Sequence, residues 1–161
     1  MVSADWAGVA RDLGMVLPVT ADHRDDPRAG TENSNGRRLV HLCTSSEWEQ
    51  ARAAGERITP SLGTEGFVHL SAPHQVHLPA NRLFAGRTDM LLLWLDPAGL
   101  TAPLRWEPGV PGDPGSMRFP HLYGPLPVAA VVGTSYYSPD ANGTFPALTA
   151  DPEQWPDART A

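Results

Sequence analysis

The most uniform stretch of the chain is Met90-Leu91-Leu92-Leu93-Trp94-Leu95, closed by Asp89 and Asp96. So short and continuous an apolar run predicts a strand covered on both faces. Strands are also predicted at 38–43, 66–70 and 104–107, with an extended piece at 119–123 and a last strand at 128–134. Between the first two, Thr44-Ser45-Ser46-Glu47 reads as a capping box, in which hydroxyl and carboxylate satisfy free helix-start amides. The helix it opens turns Trp48, Ala51 and Ala54 inward and stops at Gly55. A second helix is predicted from a Ser71 cap through Phe84, with Pro73 in its first turn, a kink or break at Pro79 and Gly86 after its end. Helices in front and strands behind predict an α+β domain with a mixed, curved sheet.

The flanks read differently. Residues 1–37 read as an N-terminal helix, with Trp6, Val9, Ala10, Leu13 and Val16 on one face, followed by a polar linker. The core is expected over 38–137. Residues 138–161 read as a Pro-rich irregular tail anchored by Phe145 and Trp155.

Three short strings place a histidine between apolar neighbours: Val40-His41-Leu42, Val68-His69-Leu70 and Pro120-His121-Leu122. In extended chain the neighbours point one way and the imidazole the other. If each apolar face lies on a core, three strands gather three imidazoles in one cleft. Glu107 sits between Trp106 and Pro108, where burial would raise its pKa and suit it to acid–base work; a structural ion pair with Arg82 or Arg105 is the competing reading. His41, His69, Glu107 and His121 are therefore the catalytic candidates, and Ser71, Arg82, Arg105 and Tyr123 the substrate-binding ones. Arg82 either grips a phosphate or pairs with Glu65 or Asp89; Tyr123 either stacks on a ligand ring or closes the core beside Pro125. His69, His74 and His77 lack a carboxylate or Cys at ligand spacing, so no metal is expected, and His74 reads as part of a solvated helix face.

Composition narrows the chemistry. All 12 basic residues are arginine, which excludes a Schiff-base lysine and a P-loop lysine. A net charge of −6 without a basic run argues against an extended nucleic-acid surface. The single cysteine, Cys43, forms no internal disulfide and reads as a small buried residue ending a strand, rather than as a nucleophile. With 161 residues, no apolar stretch approaching a membrane span and no signal-peptide pattern, one cytoplasmic domain is the default expectation.

The pieces His41, Trp48, Ser61-Leu62, Glu65 to Ser71, Gln75-Val76, Ala80-Asn81-Arg82, Ala85-Gly86-Arg87, Leu93 to Asp96, Arg105-Trp106-Glu107 and Phe119 to Pro127, in this order, resemble the domain of unknown function family 952 over about residues 38–134. That resemblance implies a fold similar to ADP-ribosyltransferases: a split β-core with NAD in its cleft, which makes NAD the cofactor to test. It puts His41 at the first-strand position and His69 with Ser71 at the second, with Glu107 as the best acid. The chain departs from the toxin-like enzymes in lacking a Ser-Thr-Ser string and in adding His121. Its histidines look more like the RNA 2′-phosphotransferase branch, with Arg82 and Arg105 as candidates for that branch's arginines. Where the family is commonly acidic, position 74 carries a histidine.

Three functions follow as expectations. The first is an enzyme acting on NAD or a related nucleotide, with His41 on the ribose, His69 and Ser71 on the nicotinamide side or phosphate, and Glu107 stabilising an oxocarbenium-like cation. The second is a His/Glu acid–base enzyme (cyclase, isomerase or hydrolase) on a small metabolite of specialised metabolism. The third is a nucleotide or small-ligand binding module without catalysis.

Overall fold

The computed structural model describes residues 38–109, 114, 115 and 117–148; the predicted N-terminal helix, the linker before Arg38 and Trp155 lie outside the described residues. Strand β1 (Leu39–Thr44) runs straight into α1 (Ser45–Ala54) through the predicted capping box: Glu47 N donates to Thr44 Oγ1, and Thr44 N donates to Glu47 Oε2 at 2.7 Å. Gly55 ends α1 at φ 82°, a left-handed conformation that glycine adopts without a Cβ clash. Ala51 is buried on α1 and Trp48 is partly buried, but Ala54 is exposed, so the inward face is one turn shorter than expected. The chain continues through β2 (Glu56–Arg57), α2 (Pro60–Thr64), β3 (Val68–His69), α3 (His77–Phe84), β4 (Met90–Leu95), β5 (Leu104–Pro108), β6 (Arg118–Leu122), β7 (Leu126–Pro127) and β8 (Val131–Tyr136).

These strands form three small sheets, ordered β1-β4-β8, β3-β6-β5 and β2-β7. Every described pairing is antiparallel, which corrects the expected mixed sheet. Periodicity fixes which face of a strand is apolar; it carries no information about strand direction. A two-way bridge between Val40 and Ser71 (N to O 2.9 Å each way) stitches the first sheet to the second. That bridge also corrects the second helix. Ser71 is held in extended chain and cannot cap; a 3-10 turn covers Pro73–Gln75, and α3 starts only at His77. Pro79 then falls in the first turn of α3, where its missing amide breaks no intrahelical bond. Helix α2 was not predicted, since five residues carry too little periodicity. The last strand starts at Val131, after a 3-10 turn over Val128–Ala130.

The β4 expectation holds: all six of its residues are buried. Leu91, Leu93 and Leu95 pack with Leu39, Cys43, Val68 and Leu122 in one core cluster, while Met90, Leu92 and Trp94 pack with Val40, Val76 and Ala80 in another. The second cluster also holds Tyr137 and Phe145. Asn81 pins Phe145 by donating to its carbonyl at 2.9 Å and accepting from its amide at 2.6 Å. The irregular segment after β8 is thus part of the core as far as Phe145. No helix among the described residues is long and apolar enough to cross a membrane.

Candidate functional site

On β3, β5 and β6 the alternation works as the sequence predicts. Val68, Leu70 and Leu122 are buried in the core, with Leu104 and Trp106 packed against them. The opposite face gathers Phe67, His69, Arg105, Glu107, His121 and Tyr123, because His69 and Arg105 both lie in register with His121. His121 Nδ1 donates to Glu107 Oε2 at 3.1 Å, and the Tyr123 hydroxyl donates to the same oxygen at 2.8 Å. Phe67 stacks on the His121 ring, 4.1 Å between centroids at 9°. The His69 ring meets His121 edge-on at 5.1 Å, and its Nε2 lies 3.3 Å from Glu65 Oε2. His121 is 2% exposed, and its Nε2 is buried without a hydrogen-bond partner among the described residues.

His41 behaves otherwise. Strand β1 has apolar packing on both sides, so His41 is largely buried between the sheets and reaches only the cleft that β1 forms with the 57–61 segment and α3. Its Nδ1 lies 2.8 Å from the His69 carbonyl, which can only accept, so Nδ1 carries the proton. Its Nε2 therefore offers a lone pair, and Arg57 Nε donates to it at 2.8 Å. Arg57 Nη2 in turn reaches Glu47 Oε1 at 3.0 Å. A relay Glu47–Arg57–His41–His69 carbonyl results, in which both imidazole nitrogens are occupied.

Electrostatics separates charge carriers from neutral groups. Burial, then the Arg57 charge, lowers the His41 pKa to about 3; burial, then His121, does the same to His69. His121 is also lowered by burial, against the pull of Glu107. Burial opposes ionisation of Glu107, but the bonds from Tyr123 and His121 and the Arg105 charge outweigh it, so this carboxyl lies below its ordinary range. That corrects the expectation of a raised Glu107. Its partners are a tyrosine and a histidine, not the arginine ion pair; the guanidinium of Arg105 lies over the Tyr123 ring at 4.7 Å instead. Burial pushes the Cys43 thiol up to about 12, leaving no thiolate for nucleophilic attack near neutral pH.

A cleft of about 170 Å³ opens between β1, the 57–61 segment and α3. His41, His69 and Ser71 line it together with Glu47, Arg57, Thr59, Ser61 and Arg87, and Pro60, Pro79, Leu83 and Phe84 give it an apolar wall. Glu107, His121, Arg105 and Tyr123 are outside that lining, joined to it through the His69 ring and through Phe67, whose carbonyl accepts from Ser61. Arg82 is exposed on α3 and also outside; Glu65 and Asp89, its suggested partners, face His69 and Arg87 instead. His74 is exposed and His77 is partly buried, and no group of His, Cys, Asp or Glu among the described residues is placed to hold a metal. The sequence reading missed Arg57 and took Glu47 for a cap alone. Nothing in the pattern marks Arg57, one arginine of 12; only the turn at Gly55 brings it back beside Glu47.

A family description, "Protein of unknown function (DUF952)", matches residues 42–134. The crystal structure of protein CC0527 from Caulobacter crescentus is similar at 32% identity, covering 68% of this chain and 93% of that one, with a TM-score of 0.59. The solution NMR structure of CC0527 gives 32% identity, 66% and 90% coverage and a TM-score of 0.56. No curated protein matches the chain.

Proposed function

This chain belongs to the DUF952 family of proteins of unknown function, and we propose that it is an enzyme whose cleft takes NAD or a related nucleotide. The observation that carries this reading is the composition of one small cleft: an apolar wall of Pro79, Leu83 and Phe84 suited to a planar ring, facing hydrogen-bonding groups at His69 and Ser71 and a guanidinium at Arg57. The likeness to ADP-ribosyltransferases adds support only through the sequence pieces around His41 and His69. The geometry changes one assigned role. His41 has no free ring nitrogen for a ribose, so it acts as a positioning residue for Arg57. His69 and Ser71 keep the contacts to the ligand. Glu107, held ionised, suits electrostatic stabilisation of an oxocarbenium-like cation better than proton donation, provided the ligand extends past His69 towards β5.

Thermal-shift measurements with NAD, ADP-ribose and free nucleotides, followed by assay of nicotinamide release, test this. Stabilisation by NAD with release of nicotinamide is the expected result; no shift with any of these ligands sinks the reading, and binding without turnover favours the non-catalytic module. One observation favours a second reading, acid–base chemistry on a small metabolite. The Glu107–His121 pair orients an imidazole whose Nε2 lone pair is unpaired, as a carboxylate-oriented base requires. It remains covered by Phe67 in this conformation.

A further inference from the structure

We propose that Arg57 is the seat for a phosphate group of the ligand, and that His41 and Glu47 are positioning residues that fix its guanidinium towards the cleft. The phosphate is suggested by the nucleotide reading above; the anion seat itself stands on the geometry of Arg57. The side chain is only 11% exposed, yet it lines the cleft. A guanidinium offers five N–H donors in a rigid planar fork. Nε donates to His41 Nε2 and Nη2 to Glu47 Oε1, which sets the plane of the fork. Nη1 has no partner among the described residues.

Two features argue that this is more than a structural ion pair. A pair made only for stability needs no histidine as a second brace, yet His41 is anchored by the His69 carbonyl in the one tautomer that can accept from Arg57. Glu47 is also a divided partner. Its Oε2 accepts from Thr44 N and Thr44 Oγ1, so part of its charge serves the start of α1 and the neutralisation of Arg57 is incomplete. The other cationic group on the cleft, Arg87, is bound bidentately to Asp89 at 2.9 and 2.6 Å. Among the cleft hydroxyls, Thr44 donates to Glu47, Ser61 donates to the Phe67 carbonyl and Thr59 bonds Ser61, whereas the Ser71 hydroxyl, on the same cleft as Arg57, has no partner among the described residues. A preorganised guanidinium and one hydroxyl beside an apolar wall fit a phosphate attached to a ring-bearing body.

Isothermal titration of the full chain and its Arg57→Gln variant with pyrophosphate, adenosine monophosphate, adenosine and citrate tests the assignment. Pyrophosphate and adenosine monophosphate should bind the natural chain and lose at least about tenfold in affinity in Arg57→Gln, the usual loss for a charged hydrogen-bond donor, while adenosine is unaffected. Equal affinity in the two proteins, or no binding of either phosphate probe to the natural chain, overturns the seat. Binding of citrate alone, dependent on Arg57, overturns the phosphate identity. If pyrophosphate binds through Arg57 but adenosine monophosphate and NAD bind no more tightly, the seat stands and the nucleotide reading falls. Glu47→Gln gives a second measurement should Arg57→Gln not fold. Gln keeps an oxygen to hold Nη2 while removing the competing charge, so pyrophosphate binding should tighten several-fold, and weaker or unchanged binding counts against the proposal.

Discussion

His41 and His121 come from nearly the same string, an imidazole between two apolar residues, and the fold uses them in opposite ways. At β1 both faces of the strand are covered, so His41 has to be satisfied inside the protein: one nitrogen donates to a carbonyl and the other accepts from Arg57. At β6 the Val68–Leu122 side belongs to the apolar core, and His121 lies on the opposite face, buried beneath Phe67, with one nitrogen on Glu107 and the other without a partner among the described residues. The first imidazole is a fixed brace. The second is an oriented lone pair under an aromatic cover. Alternation delivers a side chain to a face; what it does there depends on which partners that face brings to it.

The largest test of this contrast is pH. His41 and His69 have pKa values of about 3 in the fold against 6.5 in free chain, so between those values the unfolded chain binds protons that the folded one refuses. Folded pKa values below unfolded ones mean stability that is complete above about pH 6.5 and lost as pH falls towards 3. Two such groups give a slope of roughly 2–3 kcal/mol per pH unit below about pH 6. The depressed carboxyls of Glu47 and Glu107 add loss in the same direction at the acid end. Urea denaturation at pH 7.5, 6 and 5 measures it, and a flat stability across that range would show that the imidazoles are not held neutral.

Next comes Glu107. If the β5–β6 face takes part in the reaction, Glu107→Gln should cost about 10²–10⁴ in turnover. Its side chain is 35% exposed and Gln still accepts from Tyr123, so the melting temperature should barely move. A large fall in melting temperature with a proportionate fall in activity makes Glu107 structural, and full activity removes it from the mechanism.

A direct comparison of the two braces is smaller in size. His41→Leu strands the Arg57 Nε donor and the His69 carbonyl, at a cost of about 2–4 kcal/mol, whereas His121→Leu removes an already unpaired nitrogen and leaves Glu107 bonded to Tyr123, for a change of about 1 kcal/mol or less. Equal destabilisation by the two variants, measured by denaturant titration, would erase the distinction drawn between them. The smallest effect belongs to Phe67→Leu. Losing the stacked ring should cost about 1 kcal/mol and wet His121, returning its pKa towards the ordinary value in an NMR titration. An unmoved His121 would mean that Phe67 does not control water at Nε2.

The sequence by itself determined the elements whose causes are local. Thr44 and Glu47 specify the start of α1 and Gly55 its end; the run from Met90 to Leu95 specifies a strand buried on both faces; and Val68, Leu70 and Leu122 specify which side of β3 and β6 turns to the core. Through that alternation it also expected His41, His69, Glu107 and His121 in one cleft; His69, Glu107 and His121 do share a face, while the cleft holds only His41 and His69 of the four. Tertiary structure decided the rest. Which groups met His41 inside the fold depended on what packed against β1, and the His69 carbonyl and Arg57 on its two nitrogens turned it from an expected proton carrier into a brace. Ser71 was claimed by a bridge to Val40, a contact 31 residues away, so a sound local cap became extended chain. Arg57 carried no mark until the turn at Gly55 set it between Glu47 and His41. Local backbone chemistry is encoded within a few residues, whereas the burial that fixes a side chain's charge and partners is a property of the assembled core.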